Sequence, residues 1–167
     1  MLDKGWIAIT DYYIKSKNFK KALYFINKAI NIDSENVLYW KRYGNINFRL
    51  NLYEEAEVGY RKTLELGNYE LNSWLTRNDI LLKLGEFEAA KNNLFQAKEF
   101  YEESAEIEYR LAGLFFKKLE FNKGEFHLKN ALKLDSEFLI IIEELFPKVY
   151  SLKKVKEIIK VHKKASL

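Results

Sequence analysis

An all-α array of antiparallel helix pairs is the fold that this sequence predicts, on three observations. The tryptophans Trp6, Trp40 and Trp74 are evenly spaced along the chain, and a fixed period of this length marks a repeat array. Three further series keep the same phase: Phe19, Tyr53, Phe87 and Phe121; Ala22, Ala56, Ala90 and Gly124; Ala29, Thr63, Ala97 and Ala131. Helix breakers are scarce, with one Pro and seven Gly in 167 residues, which favours helix over a turn-rich β fold.

Each period reads as two helices. In the first, Trp6, Ile9 and Tyr13 recur three and four apart and share one face, and Ala22, Ile26 and Ala29 share a face of the next helix. Ser16-Lys17-Asn18 supplies a short polar turn between them. The third period turns at Gly85-Glu86, where Gly85 suits the left-handed residue that ends a helix. The small-residue series lets two helices approach closely, and the Trp and Phe series fills the space between neighbouring units. One unit alone cannot bury both faces, so the units must stack. The spacing predicts helix pairs over 3–16 with 19–32, 37–50 with 53–66, 71–84 with 87–100, and 105–118 with 121–134. A fifth helix is expected over 138–146, ending near Pro147, and a Lys-rich last helix over 151–164.

These residues resemble the tetratricopeptide repeat family, whose first helix carries Trp, Leu-Gly and Tyr and whose second carries Ala, Phe, Ala and Pro. The second unit shows Trp40, Tyr43-Gly44, Ala56 and Tyr60; the first shows Trp6, Ile9, Tyr13, Ala22, Ile26 and Ala29. The third has Trp74, Leu81, Ala90, Leu94 and Ala97, with Arg77-Asn78 replacing Leu-Gly. In the fourth, Glu108 stands for Trp, while Leu111-Ala112, Phe115, Leu128 and Ala131 are kept. The closing Pro is absent; Ser34, Asn68, Glu102 and Ser136 stand there, and Ser or Asn can cap the following helix. The resemblance implies a right-handed superhelical solenoid with four repeats, 3–36, 37–70, 71–104 and 105–136, capped by helices over 137–167. The start of the chain shows no polar cap, so a longer array or a covering neighbour is expected there, and self-association through array ends is a further expectation. Abundant Lys, Asn, Ile, Tyr and Phe points to an AT-rich genome, and Leu145-Phe146-Pro147 before a Lys-rich helix resembles the ends of some bacterial repeat proteins.

Composition narrows the function classes. Apolar residues make up 48% and charged residues 31%, enough for a core and too apolar for disorder. There is no Cys, which excludes disulfides and Cys-bound zinc and fits a cytoplasmic setting. Residues 1–17 carry Asp3, Lys4 and Asp11 within their apolar stretch, unlike a signal peptide. The apolar run 138–142 is far too short to span a bilayer. The net charge of +4 conceals an asymmetry: residues 148–167 hold seven Lys and one Glu, whereas the rest holds 21 basic and 23 acidic residues. The near-neutral body lacks the basic stripe of a nucleic-acid binder.

No motif points to catalysis, a metal or a cofactor, and none of the three is expected. His127 and His162 lie far apart in sequence, without Cys or an HExxH pattern, and a surface or partly packed role is expected for both. The acids of Glu54-Glu55-Ala56-Glu57, Glu102-Glu103, Glu86 and Glu88 lie at helix starts, where negative charge suits the dipole. The apolar residues Leu152, Val155, Ile158, Ile159 and Val161 of the tail are expected to dock on the fourth repeat, leaving its lysines solvated. The aromatic series, in phase with the small residues, reads as core and not as a base-stacking platform.

The resemblance implies a partner peptide or protein on the inner face, lined by first-helix residues. That face is expected to hold Lys4, Ile7, Asp11 and Ile14; then Leu38, Lys41, Arg42, Asn45, Phe48 and Arg49; then Asn72, Leu75, Thr76, Asp79, Leu82 and Lys83. The fourth unit adds Glu106, Tyr109, Arg110, Gly113, Phe116 and Lys117. Phe48, Leu82 and Phe116 recur once per period and are expected to form an apolar strip. A clamp for acidic chaperone tails fits poorly, because its best frame, Lys41, Asn45, Asp79, Glu106 and Arg110, contains two acids. The expected function is a protein-interaction scaffold; the alternative is a nucleic-acid-associated repeat protein that uses the Lys-rich C-terminal helix.

Overall fold

The computed structural model describes residues 2–165, and side chains from residue 5 onward. Lys4, expected on the inner face, and residues 166–167 of the C-terminal segment lie outside these described side chains. The described chain is all-α: α1 (Leu2–Lys15), α2 (Phe19–Ile32), α3 (Val37–Arg49), α4 (Tyr53–Glu65), α5 (Leu71–Leu84), α6 (Phe87–Lys98), α7 (Ala105–Lys117) and α8 (Phe121–Leu134), followed by a 3₁₀ turn (Ser136–Leu139), α9 (Ile140–Leu145), α10 (Pro147–Tyr150) and α11 (Lys153–Ala165). It forms two compact units, Met1–Glu86 and Phe87–Leu167.

The turns within the periods share one device. Lys17, Asn51, Gly85 and Leu119 all have positive φ, between 58° and 77°. They occupy the same position in successive periods. The left-handed residue lets the chain reverse after each first helix. Only Gly85 does so without a Cβ penalty.

In the first unit, α1 packs on α2, α2 on α3, α3 on α4 and α4 on α5. Ala22, Ile26, Ala29, Ile30, Tyr39 and Ile46 form a buried cluster, with Trp6, Tyr13, Phe19 and Trp40 packed against it. Trp40 stays half-buried, and its ring nitrogen donates to the Ser34 carbonyl at 2.7 Å. A second cluster joins Ala56, Tyr60 and Ile80. The small-residue series lies at 0% exposure at Ala22, Ala56, Ala29 and Thr63. The tightest crossing is formed by Gly44 and Gly59: a Cβ on Gly59 would fall 2.5 Å from the Gly44 Cα. Helix starts are capped slightly later than the missing-proline positions suggested. Asn36 accepts from Leu38 N, whereas Asn68 accepts from the Ser73 hydroxyl.

In the second unit α7 is the buried centre, contacting α6, α8, α9 and α10. Ser104 caps it and Asp135 caps the 3₁₀ turn. The expected fifth helix is a 3₁₀ turn followed by α9, which ends at Leu145 near Pro147 as expected, and the short α10 follows it. Pro147 has no N–H to donate, and the residue before it, Phe146, leaves the helical region with φ −134° and ψ 56°. Freed from a straight course, α9 and α10 fold onto α7, and the Phe146 ring occupies the space where a Cβ on Gly113 would stand. Helix α11 docks on α8. Val155 and Ile159 are buried as expected, but Val161 is 68% exposed. Glu125 joins the two helices by accepting from Lys129 at 2.8 Å and Lys154 at 2.7 Å. Among the described residues, no helix is long and apolar enough to cross a membrane.

Candidate functional site

The first-helix residues of the first unit form a partly open polar and apolar face. Lys41 lies 2.5 Å from Glu70 Oε2. Arg42 reaches both oxygens of Asp11, at 2.7 and 3.0 Å, which ties α3 to α1. Asn45 and Thr76 reach the hydroxyl of Tyr60, a second-helix residue whose ring is buried. Burial raises the Tyr60 pKa, while Asn45, Thr76, Lys41 and Arg49 pull against that rise. Tyr60 therefore stays neutral, packed under this face at 3% exposure. Periodicity alone does not reveal this role, because the position reads as a core aromatic; the available signal is a Tyr where the repeat pattern has Phe.

Phe48, Asp79 and Leu82 are half-buried, and Arg49 and Lys83 are exposed. Phe48 packs on Tyr53 at 5.9 Å between ring centres, and Lys83 Nζ lies 5.5 Å from the Tyr53 ring centre. Of the other residues expected here, Leu38 is 56% exposed, Asn72 is exposed and Ile7 and Ile14 are half-buried. Leu75 departs from expectation, being buried in the core.

The fourth-period residues are a correction. Tyr109, Arg110 and Phe116 were expected on an open face, but they are 0%, 7% and 1% exposed. The Tyr109 hydroxyl donates to the Asp135 carbonyl at 3.1 Å, and burial and Asp135 push its pKa up. Phe116 meets Phe121 edge-on and fills the space beside Gly124. Arg110 donates to the Glu106 carbonyl at 3.2 Å. The folded-back α9 and α10 pack against this helix, so Phe116 contributes to the core of its unit and not to an exposed apolar strip.

His127 is also more buried than expected, at 7% exposure. Its Nδ1 lies 2.6 Å from Glu108 Oε2, and Lys98 holds the other carboxylate oxygen. Its ring stacks on Phe115 at 5.1 Å. Glu108 thus replaces the repeat tryptophan with a buried carboxylate held by His127 and Lys98. Among the described residues, no group of three His, Cys, Asp or Glu side chains is placed to hold a metal.

No family model and no curated protein matches the sequence. Solved structures do match. MamA from Desulfovibrio magneticus RS-1 superposes with a TM-score of 0.78 at 17% identity, covering 98% of this chain and 92% of that one. YrrB, "a TPR protein with an unusual peptide-binding site", gives a TM-score of 0.71 at 19% identity, covering 92% of this chain and 78% of its own. PilW, a type IV pilus biogenesis factor, gives 0.69 at 16% identity, covering 97% and 74%. Across periodicity, helix order and these likenesses, the chain has the fold of the tetratricopeptide-repeat solenoids.

Proposed function

We propose that the chain is a protein-interaction scaffold that holds a segment of another protein on the first-helix face of its first unit. One observation carries this reading. Lys41, Asn45, Phe48, Arg49, Asp79, Leu82 and Lys83 remain half-buried or exposed on α3 and α5, whereas Tyr109, Gly113 and Phe116 at the matching positions of α7 are buried and only Lys117 there is exposed. The open face mixes apolar contact area with hydrogen-bonding groups and an exposed Arg and Lys. Such a surface suits a peptide with apolar anchors and some negative charge. YrrB, which shares the fold, is described by its peptide-binding site.

The test is capture of partners from the source cell by the immobilised chain, compared with a Leu82→Ala, Arg49→Glu variant. The reading expects capture to fall about tenfold or more, near 1.4 kcal/mol, with helical circular dichroism unchanged. Undiminished capture by this variant, with loss in a Lys160→Glu, Lys163→Glu variant, would move the working surface to α11.

A further inference from the structure

Several cations of the repeat body are matched by acids within hydrogen-bonding range. Lys41 pairs with Glu70, Arg42 with Asp11, Arg77 with Glu57, Lys98 with Glu108 and Lys118 with Glu88. Helix α11 concentrates its cations on one short stretch. Its only acid, Glu157, is 3.9 Å from Lys153, and Lys154 is taken by Glu125. Lys156, Lys160, Lys163 and Lys164 form no ion pair among the described residues. These four, with Tyr150 and Ile159, line one shallow hollow of about 400 Å³. Lys156 reaches over the Tyr150 ring, 6.0 Å from its centre.

We propose that this hollow binds the phosphate backbone of a single-stranded nucleic acid, with Tyr150 offering a face to one base. The rise of about 1.5 Å per residue sets Lys156, Lys160 and Lys163 about 6 and 4.5 Å apart along the helix. That is the scale of one or two nucleotides, at about 3.4 Å each in a stacked strand. A groove of point charges beside an aromatic ring is the general pattern for single strands, because every base has a π face. A membrane surface fits less well. An interfacial helix needs a broad exposed apolar face, and here Val155 and Ile159 are buried against the protein, which leaves Val161 as the one strongly exposed large apolar side chain among the described residues of α11. An acidic peptide would meet the same charge, but it has no flat bases to set against the Tyr150 ring that lines the hollow.

The test is fluorescence anisotropy of a short labelled oligothymidine with the full chain, from about 50 to 200 mM salt. Four contacts predict a log–log salt slope near −3, at about −0.7 per phosphate. Lys160→Glu with Lys163→Glu should roughly halve the slope and weaken binding about tenfold or more. Both lysines are exposed, so circular dichroism should not change. Tyr150→Leu should weaken binding and leave the slope alone. The proposal is overturned if the oligothymidine does not bind at the lowest salt, or if the paired lysine variant binds equally well. It is also overturned if anionic vesicles or a polyglutamate peptide of equal charge bind more tightly than the oligonucleotide.

Discussion

The Nδ1 of His127 lies 2.6 Å from Oε2 of Glu108, which occupies in the fourth period the place that Trp74 holds in the third. A bulky apolar ring in one period has become a buried, hydrogen-bonded carboxylate in the next. Burial alone would raise the Glu108 pKa; the hydrogen bonds from His127 and Lys98 outweigh it, and the pKa is lowered. A carboxylate with a depressed folded pKa contributes stability above its unfolded pKa, and that contribution is lost as pH falls through the folded value. The melting temperature should therefore fall as pH drops from neutral to below about 4, and more shallowly in Glu108→Gln. His127→Ala should cost about 3 kcal/mol at neutral pH, because a buried charge loses a partner. A variant as stable as the parent in urea would refute this.

Leu119 is a bulky residue at φ 62° and is 71% exposed. The left-handed region costs a non-glycine residue about 1–2 kcal/mol, and the gain on replacing it is reduced by the larger entropy of glycine in the unfolded chain. Leu119→Gly should raise stability by about 0.5–1 kcal/mol, read as a higher denaturant midpoint. A lower midpoint would show that the turn is held by the leucine side chain.

Ala56 is fully buried where α3 and α4 cross. Ala56→Leu should overpack this crossing and destabilise by about 1–3 kcal/mol. Gly59→Ala should do likewise, since its Cβ would meet the Gly44 backbone at 2.5 Å. Urea midpoints equal to that of the parent would contradict the repeat phase.

Phe116 and Leu82 share a repeat position but not an environment. Phe116→Ala should cost about 3–5 kcal/mol, as expected for truncating a buried aromatic. Leu82, half-buried, should cost clearly less when truncated. Thermal unfolding followed by circular dichroism separates the two, and equal losses would argue that Leu82 is core.

Much of the fold was legible in the residues, because local spacing and small-residue placement are properties of the chain itself. The first eight helices begin and end within about two residues of the periodic reading. Ala22, Ala56, Ala90 and Ala131 are fully buried as their phase required, and Gly85 is left-handed as its type suggested. Lys17, Asn51 and Leu119 share that conformation without being glycine, so only their spacing could have revealed them.

What the tertiary structure alone decided concerns contacts between residues far apart in sequence. Pro147 announced a break, but not that the pieces on either side would fold onto α7, the helix in which Tyr109 and Phe116 are buried. Glu108 looked like a lost tryptophan until α8 brought His127 beside it and α6 brought Lys98. Repeat periodicity specifies which face of a helix is apolar. Which neighbour covers that face, and which charged groups meet there, depends on the docking of elements whose order and packing no local pattern encodes.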